Sequence, residues 1–186
     1  MESQITHDEA AIAIIAERQF ERSGSLPSIE ATPAARDGHK SGSRFIRWKF
    51  NFFPAYRGTG AWVTYIADDF REVRVRLPLS WRTRNLVGTI FGGSLYGSVD
   101  PIYMIMLIRL LGREFVVWDK AAEIRFRKPG RSTLFARFTI DEAELNAIRE
   151  ATAAGNPVDR LYTVDLVDRD GVVHATINKT IYVRRK

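Results

Sequence analysis

The chain has 186 residues, enough for one domain with an extension, and its 45% hydrophobic and 27% charged residues match a globular protein. A net charge of +6 favours polyanionic partners: nucleic acid, anionic lipid or a small molecule with several phosphates. The absence of cysteine excludes disulfides, thiolate metal sites and a cysteine nucleophile.

The opening Met-Glu-Ser-Gln-Ile-Thr-His-Asp-Glu has neither a basic n-region nor a long apolar h-region, so a cytoplasmic location is expected. Thr6 and Glu9 form a capping box ahead of an alanine- and isoleucine-rich helix running to about Arg22. Residues 23–43 hold prolines, Gly, Ser and mixed charge and read as a linker. The expected division is thus an extension over 1–43 and a folded domain over 44–186. A short helix with Phe45, Ile46, Trp48, Phe50 and Phe52 begins at Ser43 or Arg44 and stops at Pro54. Residues 61–67 and 73–77 form a hairpin in which Val73, Val75 and Leu77 alternate with Arg74 and Arg76.

From Gly92 a helix of four to six turns follows, with apolar residues on every side: Leu95, Val99, Ile102, Met106, Leu107 and others. Such a helix is buried in a protein core or in a membrane. Residues 87–108 are long enough to span a bilayer. Four glycines, the Asp100-Pro101 pair and a cost of about 2.5 kcal/mol or more for a carboxylate at that depth argue for a core instead.

Residues 115–128 read as a long strand, turned at Pro129-Gly130 into a second over 132–140. Thr139 and Glu142 offer a cap for a helix ending before Gly155, and strands over 161–167 and 172–183 form a last hairpin. Six strands in consecutive antiparallel pairs, with one all-apolar helix, imply a sheet curled round that helix, its uncovered flank closed by a second copy.

This layout resembles the hotdog fold of acyl-CoA thioesterases and dehydratases, an α+β class. Phenylacetyl-type thioesterases carry Asn, a spacer, Gly, then His-Gly-Gly, with an Asp nine positions after the His. Asn85, Gly88, Gly92, Gly93 and Asp100 occupy matching positions, and Phe91 stands where the His would be. Ile124-Arg125-Phe126-Arg127-Lys128-Pro129 resembles the family's strand ending in Phe-hydrophobic-Arg-Pro. The resemblance spans about 44–183. It implies a homodimer or homotetramer acting on acyl-CoA or acyl-carrier thioesters; no cofactor or metal is expected.

Thioester hydrolysis needs an oxyanion site and a base or nucleophile. The N–H groups of Gly92, Gly93 and Ser94 at a helix start suit the first, with Gly93 the main donor. Asp100 suits the second. Equally, the glycines could serve close packing and Asp100 could cap a helix restarting at Pro101. Eight residues of helix separate Gly92 from Asp100 by about 12 Å, so only two antiparallel helices of a twofold dimer bring both groups to one carbonyl. Asn85, Phe91, Gly92, Ser94, Trp118 and Lys120 are the expected substrate-binding residues. Asn85 also reads as a turn residue, and Phe91 makes the mouth apolar and favours acyl binding over turnover. Asp119 and Lys120 point to opposite faces of a regular strand, so the pattern fits either a strand end in solvent, which is the plainer reading, or one of the two entering the interior, where it would need a partner. Arg82, Arg84, Arg125, Arg127, Lys128 and Arg131 are candidates for coenzyme A phosphates.

His7, His39 and His174 lack metal-ligand spacing, and no nucleophile elbow, phosphate loop or dinucleotide fingerprint is present. No nucleic-acid module is recognisable, so nucleic acid enters only through charge, in an acyl-CoA-sensing regulatory module. The two leading readings are a thioesterase-like hydrolase and a non-catalytic acyl-thioester binding protein.

Overall fold

The computed structural model describes residues 41–186, with side chains from Arg44 onward. The helix expected over 6–22 and its linker lie outside the described residues. Helix α1 (Ser41–Phe52) starts slightly before the expected position, within the usual uncertainty of helix ends. Pro54 both ends it and opens α2 (Pro54–Gly58): Phe53 before it is extended at φ −63°, ψ 121°, as a residue preceding proline prefers. There follow β1 (Trp62–Ile66), β2 (Glu72–Leu77), α3 (Gly92–Val99), α4 (Ile102–Leu111), β3 (Phe115–Phe126), β4 (Leu134–Thr139), α5 (Glu142–Ala151), β5 (Val158–Val167) and β6 (Val173–Arg185).

The six strands among the described residues join one antiparallel sheet in the order β1-β2-β4-β5-β6-β3. Two of the three expected hairpins form, β1 with β2 and β5 with β6. The third does not. Across Pro129-Gly130 the chain leaves the sheet edge, β3 pairs along β6, and β4 inserts between β2 and β5. Burial explains the exchange. Leu134, Ala136 and Phe138 of β4 are buried and need neighbours on both sides, whereas most β3 side chains are exposed and tolerate an edge.

Val99, Ile102, Met106 and Leu107 of the helical segment share one core with Leu77, Phe138, Leu166 and Ile177 of the sheet. Tyr103 anchors the packing, edge-on to Phe138 at 5.1 Å and stacked on Tyr162 at 4.6 Å between centroids. Among the described residues only Gly92–Leu111 is long and apolar enough to cross a membrane, and half of that span is buried inside the chain. The segment is a core helix broken at one joint. Pro101 supplies no N–H, and at the joint Tyr56 of α2 donates its hydroxyl to the Ser98 carbonyl at 3.0 Å. Gly97 gives room there: a Cβ would come within 2.9 Å of the Thr59 methyl.

The cap of α5 is Asp141, not Thr139. Thr139 stays in β4 opposite Glu72, while Asp141 Oδ1 accepts the Glu144 N–H at 2.7 Å. Glu144 in turn binds the Arg160 guanidinium and the Tyr162 hydroxyl, fastening the helix to β5. Asp141→Ala should therefore cost about 1 kcal/mol in chemical denaturation, and Thr139→Ala should leave the cap intact.

Candidate active site

From Ala175 strand β6 alternates, and Ala175, Ile177, Lys179, Ile181 and Val183 all face the core without exposure. Lys179 is thus an ammonium placed at an apolar position, and such a group persists only if paired. Its Nζ lies 2.8 Å from Asp100 Oδ1 and 2.9 Å from Asp119 Oδ1, and it also donates to the Asp100 carbonyl. The Asp119 contact is ionic and off the hydrogen-bond axis, which leaves that oxygen buried without an aligned donor. The Tyr96 ring stands 5.8 Å from the ammonium.

Each carboxylate is aimed by a local irregularity. Asp100 sits at the α3–α4 joint with helical φ −48°, ψ −55°, and α4 has no side-chain cap. The capping role open to Asp100 in the sequence is therefore not realised; its side chain turns to Lys179. Asp119 is aimed by a β-bulge. Asp119 pairs with Ile181 and Ala121 already with Thr180, so Lys120 is an extra residue in β3. Before the bulge Val117 and Asp119 lie on the core side, opposite Val183 and Ile181; after it Ala122 and Ile124 do, opposite Lys179 and Ile177. A regular strand continued back from Ile124 would have put Lys120 inside. The bulge sends Asp119 in instead and leaves Lys120 near the surface, paired with Asp159 at 2.5 Å. Small Ala122 opposite Lys179 leaves the long side chain its space.

The cluster faces outward through its anions: side-chain exposure is 39% for Asp100, 25% for Asp119 and 0% for Lys179. Desolvation raises the Asp119 carboxyl above the usual carboxylate range; the Lys179 ammonium opposes this and the Asp100 charge adds to it. Desolvation, together with the hydrogen bond and charge of Asp100, pushes the Tyr96 phenol well above its ordinary value.

The other end of the segment is a helix start without a side-chain cap. Ser94 N–H is used by the Phe91 carbonyl at 2.9 Å, and Phe91 N–H by the Thr83 carbonyl at 2.7 Å. Gly92 and Gly93 N–H have no acceptor among the described residues. Two phenyl rings crowd these glycines: a Cβ on Gly93 would fall 2.4 Å from the Phe91 ring, and one on Gly92 3.2 Å from Phe126. Asn85 builds the preceding loop, accepting the N–H groups of Val87 (3.1 Å) and Thr89 (3.0 Å) and donating to the Thr89 hydroxyl (2.9 Å). Trp118 stacks flat on Tyr182 at 4.4 Å. Of the sequence-predicted residues, Asp100 is joined by Asp119, while Gly92, Gly93, Ser94 and Phe91 gather at the opposite end of α3. Lys179 was not among them, although it fills an inward position of an otherwise apolar alternation. Among the described residues no cluster of three or more His, Asp or Glu groups is placed to hold a metal ion.

A curled antiparallel sheet on a core helix is shared with several solved structures. A Pseudomonas aeruginosa protein of unknown function, described as a "probable thioesterase", superposes with a TM-score of 0.68 at 17% identity, over 77% of this chain and 95% of that one. A protein of unknown function from Chlorobaculum tepidum gives 0.62 at 14%, over 78% and 95%. A Haemophilus influenzae thioesterase gives 0.58 at 14%, over 77% and 90%. The fold is thus the hotdog fold of thioesterase-like proteins. The chain itself belongs to the family of the domain of unknown function DUF4442, which matches residues 41–183. The search of curated proteins gave no match.

Removing the ammonium tests the cluster. Lys179→Met should cost about 2–3 kcal/mol at neutral pH, less than for a fully buried pair because Asp100 is partly solvated. The folded-state pKa of Asp119 is raised, so the fold prefers the neutral acid. As pH falls through that raised value toward the ordinary one, the orphaned carboxyl takes a proton and the deficit should narrow. Urea melts of both proteins at neutral and mildly acidic pH give the comparison.

Proposed function

We propose that the protein is a thioesterase-like hydrolase of acyl-CoA or acyl-carrier thioesters whose two sites are shared across a homodimer. The observation that supports this most directly is the pair of unused amides at Gly92 and Gly93, one helix length from a partly exposed carboxylate. At about 1.5 Å per residue these lie about 12 Å apart, too far to act on one carbonyl within one chain. An antiparallel second copy brings the amides of one α3 beside Asp100 of the other. The surface favours such a copy. Leu86, Val87, Phe91, Trp118 and Phe126 are exposed, and among the described residues β3 ends the sheet with an unpaired edge, which isolated proteins usually protect.

In this reading Asp100 takes a proton from water as its oxygen attacks the thioester carbon, or attacks that carbon itself. The oxyanion gathers charge against the Gly92 and Gly93 N–H groups and the positive end of α3. Collapse breaks the C–S bond and releases the thiol. A second reading, acyl-thioester binding without turnover, is favoured by the Phe91 ring packed on Gly93, at the amides the oxyanion would use.

Incubation with an acyl-CoA panel, scoring both free thiol and retained ligand, separates the two. Thiol release is expected; retention without release would establish the binding reading. Asp100→Asn leaves Asp119 as counter-charge to Lys179, so the fold should survive while thiol release falls by about a hundredfold or more. Light scattering at micromolar concentration should give at least a dimer, and a monomeric mass would defeat the shared site.

A further inference from the structure

The charged cluster holds more than the proposed hydrolysis uses. Asp100 serves there as base, and Asp119 and Lys179 have no part in it. One fully buried ammonium faces two carboxylates, so with both ionised the cluster is net negative beside a core helix. One additional proton makes it neutral. Among the described residues no other cation pairs with either carboxylate. From α3 the facing group is the Tyr96 phenol, hydrogen-bonded to Asp100. From β5 it is Tyr162, opposite Lys179, whose hydroxyl is committed to Glu144, itself held by Arg160. Lys120 on β3 is committed to Asp159. The anions stand toward solvent and the cation behind them, so both carboxyls can meet a ligand that Lys179 cannot touch.

We infer that Lys179 is a positioning residue that makes Asp100 and Asp119 a one-proton pair, with Asp119 giving the departing thiolate its proton while Asp100 takes one from water. This rests on the hydrolysis proposed above. As the water O–H bond breaks, its proton goes to Asp100 and its oxygen bonds to the carbonyl carbon. As the C–S bond breaks, the electron pair stays on sulfur, which takes the proton of Asp119. Asp100 is then neutral and Asp119 ionised. Asp100 then loses its proton to solvent and Asp119 regains one from solvent, while Lys179, in contact with both, holds the pair at one proton and so restores the start. The new carboxylic acid gives its proton to solvent. The raised Asp119 carboxyl agrees with a proton held on that residue.

Carbon-detected NMR titration of the Asp119 carboxyl tests the pair without any substrate. The midpoint should lie above the ordinary range, rise in Lys179→Met, where the stabilising cation is gone, and fall in Asp100→Asn, where the repelling charge is gone. Lys179→Arg keeps the charge; if the Met variant does not fold, this variant should hold the midpoint near that of the wild type and slow thiol release. For acyl-CoA hydrolysis, Asp119→Asn should leave KM nearly unchanged, lower kcat by about a hundredfold and remove the alkaline fall of the kcat profile. An unchanged midpoint in Lys179→Met or Asp100→Asn, or a wild-type kcat profile in Asp119→Asn, overturns the inference. Wild-type protein that releases no thiol, yet shows the shifted midpoints, refutes the hydrolysis and the donor role while establishing the shared proton.

Discussion

A lysine ammonium with no exposure fixes the arrangement around it. Burying such a charge costs several kcal/mol unless counter-charges surround it, so β6 can keep Lys179 only if two other elements deliver carboxylates to the same point. The helical segment does so at its joint and β3 at its bulge. Both irregularities would weaken an ordinary element, one by a proline and one by a residue outside the ladder. Their placement on either side of one ammonium gives each a reason. The joint is also held from behind, where Tyr56 binds the Ser98 carbonyl and Gly97 accepts Thr59, so Asp100 has little freedom to drift from Lys179.

The two ends of α3 differ in chemistry. The start offers backbone donors under phenyl rings and no charged side chain; the end offers charge and little apolar cover. Catalysis by either alone lacks half of what acyl transfer requires, either the attacking group or the place for the developing charge. Phe91 and Phe126 crowd the donor end and narrow what can enter. The Pseudomonas, Chlorobaculum and Haemophilus structures share the fold at identities that speak to architecture only, so the chemistry argued for this chain rests on its own residues.

Much of the architecture was legible. The period-2 runs in β2, β4 and β6 and the apolar run after Gly92 follow from side-chain periodicity, which packing leaves intact. Strand order was less so, because the turn at Pro129-Gly130 suggests a hairpin, and only the burial of Leu134, Ala136 and Phe138 places β4 in mid-sheet. Asp100 and the glycines stood out through motif spacing. Lys179 did not, since a lysine in a strand ordinarily reads as the wet face. Its register with Ile177 and Ile181 was the available signal. Asp119 depended on a bulge at Lys120, which nothing in the side-chain pattern announces beyond a change of parity between Val117 and Ile124.

The position of β3 at the sheet edge bears on how the chain assembles. Its ladder runs from Phe115 against Arg185 to Phe126 against Ala175, so every one of its partners follows β4, α5 and β5 in the sequence. During synthesis, which proceeds from the N-terminus, β3 and the apolar helix before it emerge well ahead of the strand that covers them. The hairpin of β1 and β2 closes locally and early, whereas the site carboxylates meet their cation only once β6 has docked. The interval exposes apolar surface to other chains, and assembly of the charged cluster marks its end.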